Sequence, residues 1–311
     1  MLALTGATGF VGTALLLRLT GAGWPVRALY RPRKGRTPPQ MPGVEWLPGS
    51  LEDVAALDAL LTGSHAVIHC AGSVRGASQA DFDRVNVDGA LRVAQAATRQ
   101  IQVPRFLLLS SLAARAPTLS HYAGSKWRGE NAVKAVSDTL RWTILRPPAI
   151  FGPGDRELLP LFQSIANGFA PLPAGAGRRF SLIYVDDLAT AVLRWLAADA
   201  GFAQTFELDD GRVGGYDWGN VLDIAGRVLR NGAPVRRVPI PIPLLNFAAL
   251  ANLGASRLLR YAPMLTPGKV RELTHPDWVC DNDSITRAIG WHPAFGLERG
   301  LAVTFGKNLA A

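Results

Sequence analysis

Leu2-Ala3-Leu4-Thr5-Gly6-Ala7-Thr8-Gly9-Phe10-Val11-Gly12 sets the reading of the chain. A short apolar run leads into three glycines at three-residue intervals, then into a helical pattern through Ala14, Leu15, Leu16 and Leu19. Gly21-Ala22-Gly23 stops that helix. A strand, a glycine-rich turn and a helix in this order open a βαβ unit. Gly6 permits the tight turn, Gly9 lets the backbone approach a pyrophosphate, and Gly12 lets helix and strand pack closely. The helix N-terminus offers free N–H groups and the positive end of its dipole to that anion. A dinucleotide site is therefore expected here.

Outward from this turn, strands alternate with helices. Val26–Tyr30, Val44–Leu47, Ala66–Cys70, Phe106–Leu109 and Trp142–Leu145 read as strands. Helices are expected around Val54–Leu61, over Asp88–Thr98 and from near Tyr122. Such alternation means right-handed crossovers and a parallel sheet. After Arg146-Pro147-Pro148 the chain turns rich in Gly, Pro and short apolar pieces, and Ile183–Val185 followed by Leu188–Leu196 reads as a return to the sheet. The expected fold class is α/β: a Rossmann-type, doubly wound parallel sheet with a smaller, mixed C-terminal substrate domain. The dinucleotide domain is expected at 1–147, with 180–208 returning to it, and the substrate domain at 148–179 and 209–311. The second unit should close over the carboxyl ends of the strands, where open α/β sheets bind ligands.

Composition narrows the class. Hydrophobic residues are 48% of the 311, enough for a sizeable core. Two cysteines, Cys70 and Cys280, are too few for a disulfide framework or a zinc site, so no metal and a reducing compartment are expected. With a strand expected from Leu2, no signal peptide is expected. The longest apolar run, Val238 to Ala255, is interrupted by Pro239, Pro241, Pro243, Asn246 and Asn252, so no comfortable membrane span is expected. The expected location is cytoplasmic, with a peripheral contact at the inner membrane face.

Net charge is +9, and residues 1–150 carry most of it, with 17 Lys/Arg against 9 Asp/Glu. A basic half suits an anionic partner. The cations form no long run and are not interleaved with aromatics, so nucleic acid is not expected. A phosphorylated cofactor fits better. An acidic residue ending the second strand binds the ribose of NAD, whereas arginine accommodates the 2′-phosphate of NADP. The first acidic residue of this chain is Glu45, and the second strand ends in Tyr30-Arg31, followed by Arg33, Lys34 and Arg36. NADP is therefore expected, with NAD as the alternative.

Tyr122-Ala123-Gly124-Ser125-Lys126 places a tyrosine and a lysine on one helix face, one turn apart. A tyrosine of pKa ~10 is a poor acid–base near neutrality. A lysine cation held close favours the phenolate and lowers that value. Hydride arriving at a carbonyl carbon needs a proton delivered to the oxygen, which such a pair can supply. His69 is expected at a strand end near the cofactor, His121 as a mere neighbour of the tyrosine, and Cys70 as a small hydrophobe.

The glycine run, Asn86 within Val85-Asn86-Val87-Asp88-Gly89, Ser110-Ser111 ending an apolar strand, Tyr122 with Lys126, and Arg146-Pro147 ahead of Gly152-Pro153-Gly154-Asp155 occur in that order. Together they resemble the extended short-chain dehydrogenase/reductase family, also called the NAD-dependent epimerase/dehydratase family. Val185-Asp186-Asp187-Leu188-Ala189 and Gly290-Trp291-His292-Pro293 match its later landmarks, so the resemblance spans nearly the whole chain. It implies a nicotinamide-dependent oxidoreductase. It implies Ser111 as the hydroxyl that hydrogen-bonds the substrate carbonyl, Tyr122 as acid–base, and Lys126 as ribose binder and pKa modulator. The implied cofactor site comprises Gly6, Thr8, Gly9, Phe10, Val11 and Gly12, with Arg31, Ala71, Gly72, Asn86, Lys126 and Pro147.

Departures from the family pattern bear on substrate. Leu112-Ala113-Ala114 stands where sugar-nucleotide dehydratases carry acidic residues, so water elimination lacks its acid and base. Phe180 occupies the position of the usual diphosphate-binding arginine, with Arg179 one place earlier. Gly49-Ser50-Leu51 lacks the usual aspartate contact to adenine. Ile240, Leu244, Leu245, Phe247, Leu250 and Leu253 are candidate pocket or lid residues, flanked by Arg236, Arg237, Arg257 and Arg260. The expected activity is hydride transfer between NAD(P) and a lipophilic ketone or secondary alcohol, long-chain or steroid-like. A sugar-nucleotide epimerase is the alternative, and a non-catalytic accessory subunit like that of respiratory complex I is the reading from another class. The expected partners are a small-molecule substrate, a membrane surface and a second copy of the chain.

Overall fold

Alternate residues of the first strand, β1 (Leu2–Thr5), serve opposite faces of one sheet. Leu2 and Leu4 join one apolar cluster and Ala3 joins another. The same division recurs in β4 (Ala66–His69) and β5 (Arg105–Leu109). A strand buried on both sides has helices on both faces, the mark of a doubly wound sheet. This computed structural model describes residues 1–32, 37–175 and 177–307.

The sheet has seven parallel strands. The others are β2 (Val26–Tyr30), β3 (Val44–Pro48), β6 (Trp142–Arg146) and β11 (Gln204–Glu207), and the order is β11-β6-β5-β4-β1-β2-β3. The order reverses beside β1, the switch point at which such sheets bind ligands. One face carries α1 (Phe10–Gly21) and α7 (Val185–Ala197), through Leu15, Leu19, Leu188 and Trp195. The other carries α2 (Val54–Leu61) and α4 (Asp88–Thr98), through Leu57, Leu60, Val93 and Ala97.

Two elements depart from expectation. The strand expected at Ile183–Val185 is β10 (Leu182–Tyr184), and it pairs with β7 (Ala149–Phe151) in a separate two-stranded sheet. The chain rejoins the large sheet one element later, through β11 against β6. A short helix, α3 (Gln79–Asn86), was not anticipated.

Further pairs join β8 (Phe169–Pro173) to β12 (Arg236–Ile240), and β9 (Arg179–Phe180) to β13 (Asp277–Trp278). A third apolar cluster links these pieces to α6 (Leu159–Ala166) and α8 (Trp218–Arg230) through Phe151, Phe162, Tyr216 and Leu222. The run interrupted by prolines and asparagines begins in β12 and from Ile242 is one continuous helix, α9 (Ile242–Leu259). Pro243 falls in its first turn, where a missing N–H costs nothing. Among the described residues it is the one helix long and apolar enough, by length and composition, to cross a membrane.

Candidate active site

The carboxyl ends of β1, β4, β5 and β6 open into one cleft of about 2220 Å³. At its floor, Gly6 has φ +73°, and a Cβ there would stand 2.6 Å from the Ala71 backbone nitrogen. A Cβ on Gly12 would stand 2.0 Å from the Gly6 carbonyl oxygen. Only glycine permits this closeness of turn, helix and neighbouring loop. Gly9 N-caps α1 without a side-chain cap, and the first turn holds no acidic residue, so its N–H groups face the cleft uncompensated. This cradle fits a dinucleotide pyrophosphate.

Thr8, Phe10, Val11, Ala71, Gly72 and Pro147 line the same cleft. Arg31 is exposed at its rim, beside Tyr30. Arg33, Lys34 and Arg36 lie outside the described residues. Asn86 is placed differently. It is buried and does not line the cleft. Its Oδ1 accepts from Ser73 N (2.8 Å), and its Nδ2 donates to Ser73 O (3.0 Å) and Ser125 Oγ (2.9 Å). It ties the loop after β4 to the helix carrying the tyrosine.

That helix is α5 (His121–Lys134). Ser120 caps it, accepting from Ala123 N at 2.9 Å. Tyr122 is half-buried, with its ring 6.1 Å from that of Phe82. Lys126, one turn on, is buried and donates to the Leu109 carbonyl at 2.9 Å. Ser111 accepts from Ala113 N at 3.2 Å, and its hydroxyl stands within bonding reach of the Tyr122 phenol. Ser111, Tyr122 and Lys126 share the cleft with the glycine cradle.

Burial pushes the Tyr122 phenol up to about 12; the Ser111 hydroxyl acts in the opposite sense, and the Glu272 carboxylate adds to the rise. Burial also brings Lys126 down to about 8, against the pull of the Cys70 thiol and of Glu130. The depression of the tyrosine expected from its lysine is not what the structure gives: the shift is upward, set by desolvation. A phenol held neutral is a proton donor, which suits delivery of a proton to a carbonyl oxygen. His69, fully within the sheet, is held down at about 3 by burial and bonds Thr5 Oγ1 at 2.8 Å. Cys70 is pushed up to about 12 by burial and is no nucleophile.

Sequence reasoning missed Glu272. It lies on α10 (Pro267–Thr274), is buried, lines the cleft, and accepts from the Ser120 hydroxyl and from Lys269 Nζ (3.0 Å). Arg271 beside it donates to Leu119 O at 2.7 Å. Together they clamp α10 onto the start of the catalytic helix. The bond joins residues 152 positions apart, and nothing in the local pattern marks it.

Where a diphosphate clamp was in question, Phe180 presents an aromatic ring, and Arg179 beside it also lines the cleft. Phe180 packs on Trp218, ring centres 4.8 Å apart, and both line the cleft. Arg178 gives its guanidinium to the carbonyls of Pro173 (3.2 Å), Ala174 (2.9 Å) and Thr274 (3.3 Å). Of the expected pocket residues, Leu253 lines the cleft, whereas Leu244, Phe247 and Leu250 are exposed.

Residues 2–206 match the family described as "NAD dependent epimerase/dehydratase family". A ceramide reductase of Caulobacter vibrioides is 38% identical over 305 residues, covering 98% of this chain and 93% of the relative. A 2-alkyl-3-oxoalkanoate reductase of Stenotrophomonas maltophilia is 28% identical over 332 residues, covering 96% of each. Among solved structures, UDP-glucose 4-epimerase of Thermotoga maritima with UDP-glucose superposes with TM-score 0.75 at 18% identity, covering 98% of this chain and 97% of that one.

Proposed function

Because this chain belongs to the NAD-dependent epimerase/dehydratase family, and is an NAD(P)-dependent oxidoreductase of the extended short-chain dehydrogenase/reductase type, we propose that it reduces a lipophilic long-chain ketone, with NADPH as the reductant. The observation that carries the substrate class is the Phe180–Trp218 wall, standing where the family usually has its diphosphate-binding arginine. A ceramide reductase and a 2-alkyl-3-oxoalkanoate reductase among the relatives support the same class. When bound, the nicotinamide supplies the hydride. The chain's own residues do the rest. Gly6, Gly9 and Gly12 with the α1 N-terminus hold the pyrophosphate. Ser111 donates to the carbonyl oxygen, Tyr122 Oη holds the proton that oxygen will receive, and the Lys126 cation binds the ribose and stabilises the phenolate left behind. Residues within 148–175, 177–180 and 209–307, Phe180 and Trp218 among them, form the substrate side. A cytoplasmic protein with peripheral contact at the inner membrane face would meet such a substrate.

Thermal unfolding with NADPH present tests the substrate class. Long-chain ketones are expected to raise the midpoint and to be reduced at the expense of NADPH, while UDP- and TDP-sugars leave the midpoint unchanged. Protection by the sugars without protection by the ketones overturns the reading in favour of an epimerase. Cofactor choice rests on Arg31 and the absence of a carboxylate at the end of β2. NADPH is expected to bind more tightly than NADH, with Arg31→Ala removing most of the difference. Equal affinities in the unaltered protein would rule out this role for Arg31.

A further inference from the structure

Helix α9 wears its apolar side outward. Leu244, Phe247, Leu250 and Leu258 are 55%, 70%, 59% and 82% exposed. At about 100° per residue these four, with exposed Ala251 and Gly254, fall within a stripe about 120° wide. The face turned to the protein is mixed: Ala249 and Ser256 are buried, Ile242, Leu245 and Leu253 are half-buried on the same arc, and Asn252 donates to Leu265 O at 2.8 Å. An ordinary surface helix has the reverse arrangement. Helix α9 follows β12 in the chain and packs against α10. Between Asp223 and Glu272 the chain carries eight Lys/Arg and no carboxylate. Arg236, Arg237, Arg257 and Arg260 are exposed at the two ends of α9 and belong to no ion pair among the described residues. On its inner side, Leu253 and Arg257, followed by Met264 and Leu265, line the catalytic cleft.

We propose that α9 is an interfacial helix that seats the protein on an anionic phospholipid bilayer, with the Leu244–Phe247–Leu258 stripe in the acyl boundary and the flanking arginines among the headgroups. An apolar stripe bordered by cations is the composition that binds such a surface, and attraction falls as salt rises. With the stripe in the bilayer, the Leu253–Leu265 side of the cleft lies at the lipid surface, and the substrate passes between them without crossing water. This delivery rests on the lipophilic-ketone reading; the docking does not.

Co-sedimentation with vesicles of equimolar phosphatidylcholine and phosphatidylglycerol at low salt tests the docking. The protein is expected to sediment with them, to be released by high salt, and to ignore vesicles of phosphatidylcholine alone. Leu244→Ser, Phe247→Ser and Leu258→Ser combined should weaken vesicle binding about 10²-fold. That variant should retain NADPH affinity and turnover of a detergent-solubilised long-chain ketone, and lose turnover of the same ketone embedded in vesicles. Equal vesicle binding by variant and parent overturns the proposal, as does failure of the parent to bind. A dimer that the triple substitution dissolves, without any vesicle binding, also overturns it and assigns the stripe to a second copy. Vesicle binding without reduction of the solubilised ketone keeps the docking and rejects the substrate reading; reduction without vesicle binding does the reverse.

Discussion

Tyr122→Phe is expected to lower turnover with the ketone substrate about 10²–10⁴-fold, the usual worth of a positioned general acid. At 1.36 kcal/mol per decade this is about 3–5 kcal/mol of barrier. The ring remains, so its packing beside Phe82 and the half-buried position are preserved. Only the hydroxyl that faces the cleft beside Ser111 is removed, and NADPH titration should be nearly unchanged. The pH profile gives a second reading of the same machinery. With the phenol pushed up to about 12, the tyrosine stays protonated throughout the neutral range. Lys126, brought down to about 8, does not stay charged. Its cation is present below that value and lost above it, so kcat/KM for reduction should hold at neutral pH and fall as pH rises through about 8. Near wild-type turnover in Tyr122→Phe would remove the tyrosine from the mechanism, and an activity that climbs through pH 8 would remove the lysine cation.

What could be read beforehand was what short spacing encodes. The glycines lie within one turn between a strand and a helix, and Tyr122 and Lys126 within one turn of α5, so local geometry places each set without knowledge of the rest. Main-sheet strands such as Phe106–Leu109 announced themselves as apolar runs buried on both faces. The same feature hid the sheet to which β10 belongs, because Leu182–Tyr184 is apolar throughout and names no partner. Helix α3 was missed because only Phe82 and Asn86 of its eight residues are buried, which leaves no apolar period. Its capping box, Ser78 with Asp81, was the available mark. Asn86 was visible within a motif, but motif membership did not show that its amide ties the Ser73 backbone to the Ser125 hydroxyl from behind the cleft. In α9, leucines were read as pocket lining because a sequence gives a helix's stripe but not the direction it faces. Glu272 reaches Ser120 only after the chain crosses from one region to the other, and no spacing rule covers that distance.

Glu130→Ala is expected to cost about 3 kcal/mol of stability while leaving turnover of the folded enzyme close to normal at low temperature. Glu130, on the buried side of α5, is 0% exposed. Its Oε1 accepts from Ser110 Oγ at 2.5 Å and from Arg146 Nε at 2.9 Å, and its Oε2 accepts from Arg146 Nη2 at 2.6 Å. One carboxylate thus joins the catalytic helix to the ends of β5 and β6. Bonding to Glu130 is the largest cause of the raised Arg146 pKa. Removing the acid leaves a largely buried guanidinium whose other carboxylate neighbour, Glu207, stands at 3.8 Å. An unmatched buried charge costs about 3–5 kcal/mol, and Glu207 favours the lower end. In a chain of this length about 3 kcal/mol corresponds to a fall of about 5 °C in Tm. Glu130→Gln, which keeps one acceptor and loses the charge, should fall between. Removing both partners discriminates charge from packing: Glu130→Leu with Arg146→Met should recover a good part of the loss, since no ion remains buried. Glu130 does not line the cleft, so kcat per folded molecule should persist well below pH 8, while the alkaline fall moves to lower pH because Glu130 helps keep Lys126 charged. If the double variant is less stable than either single one, packing and not charge compensation is what Glu130 contributes. If kcat instead falls with stability unchanged, the residue acts on the neighbouring Ser111 and Lys126 through their positions.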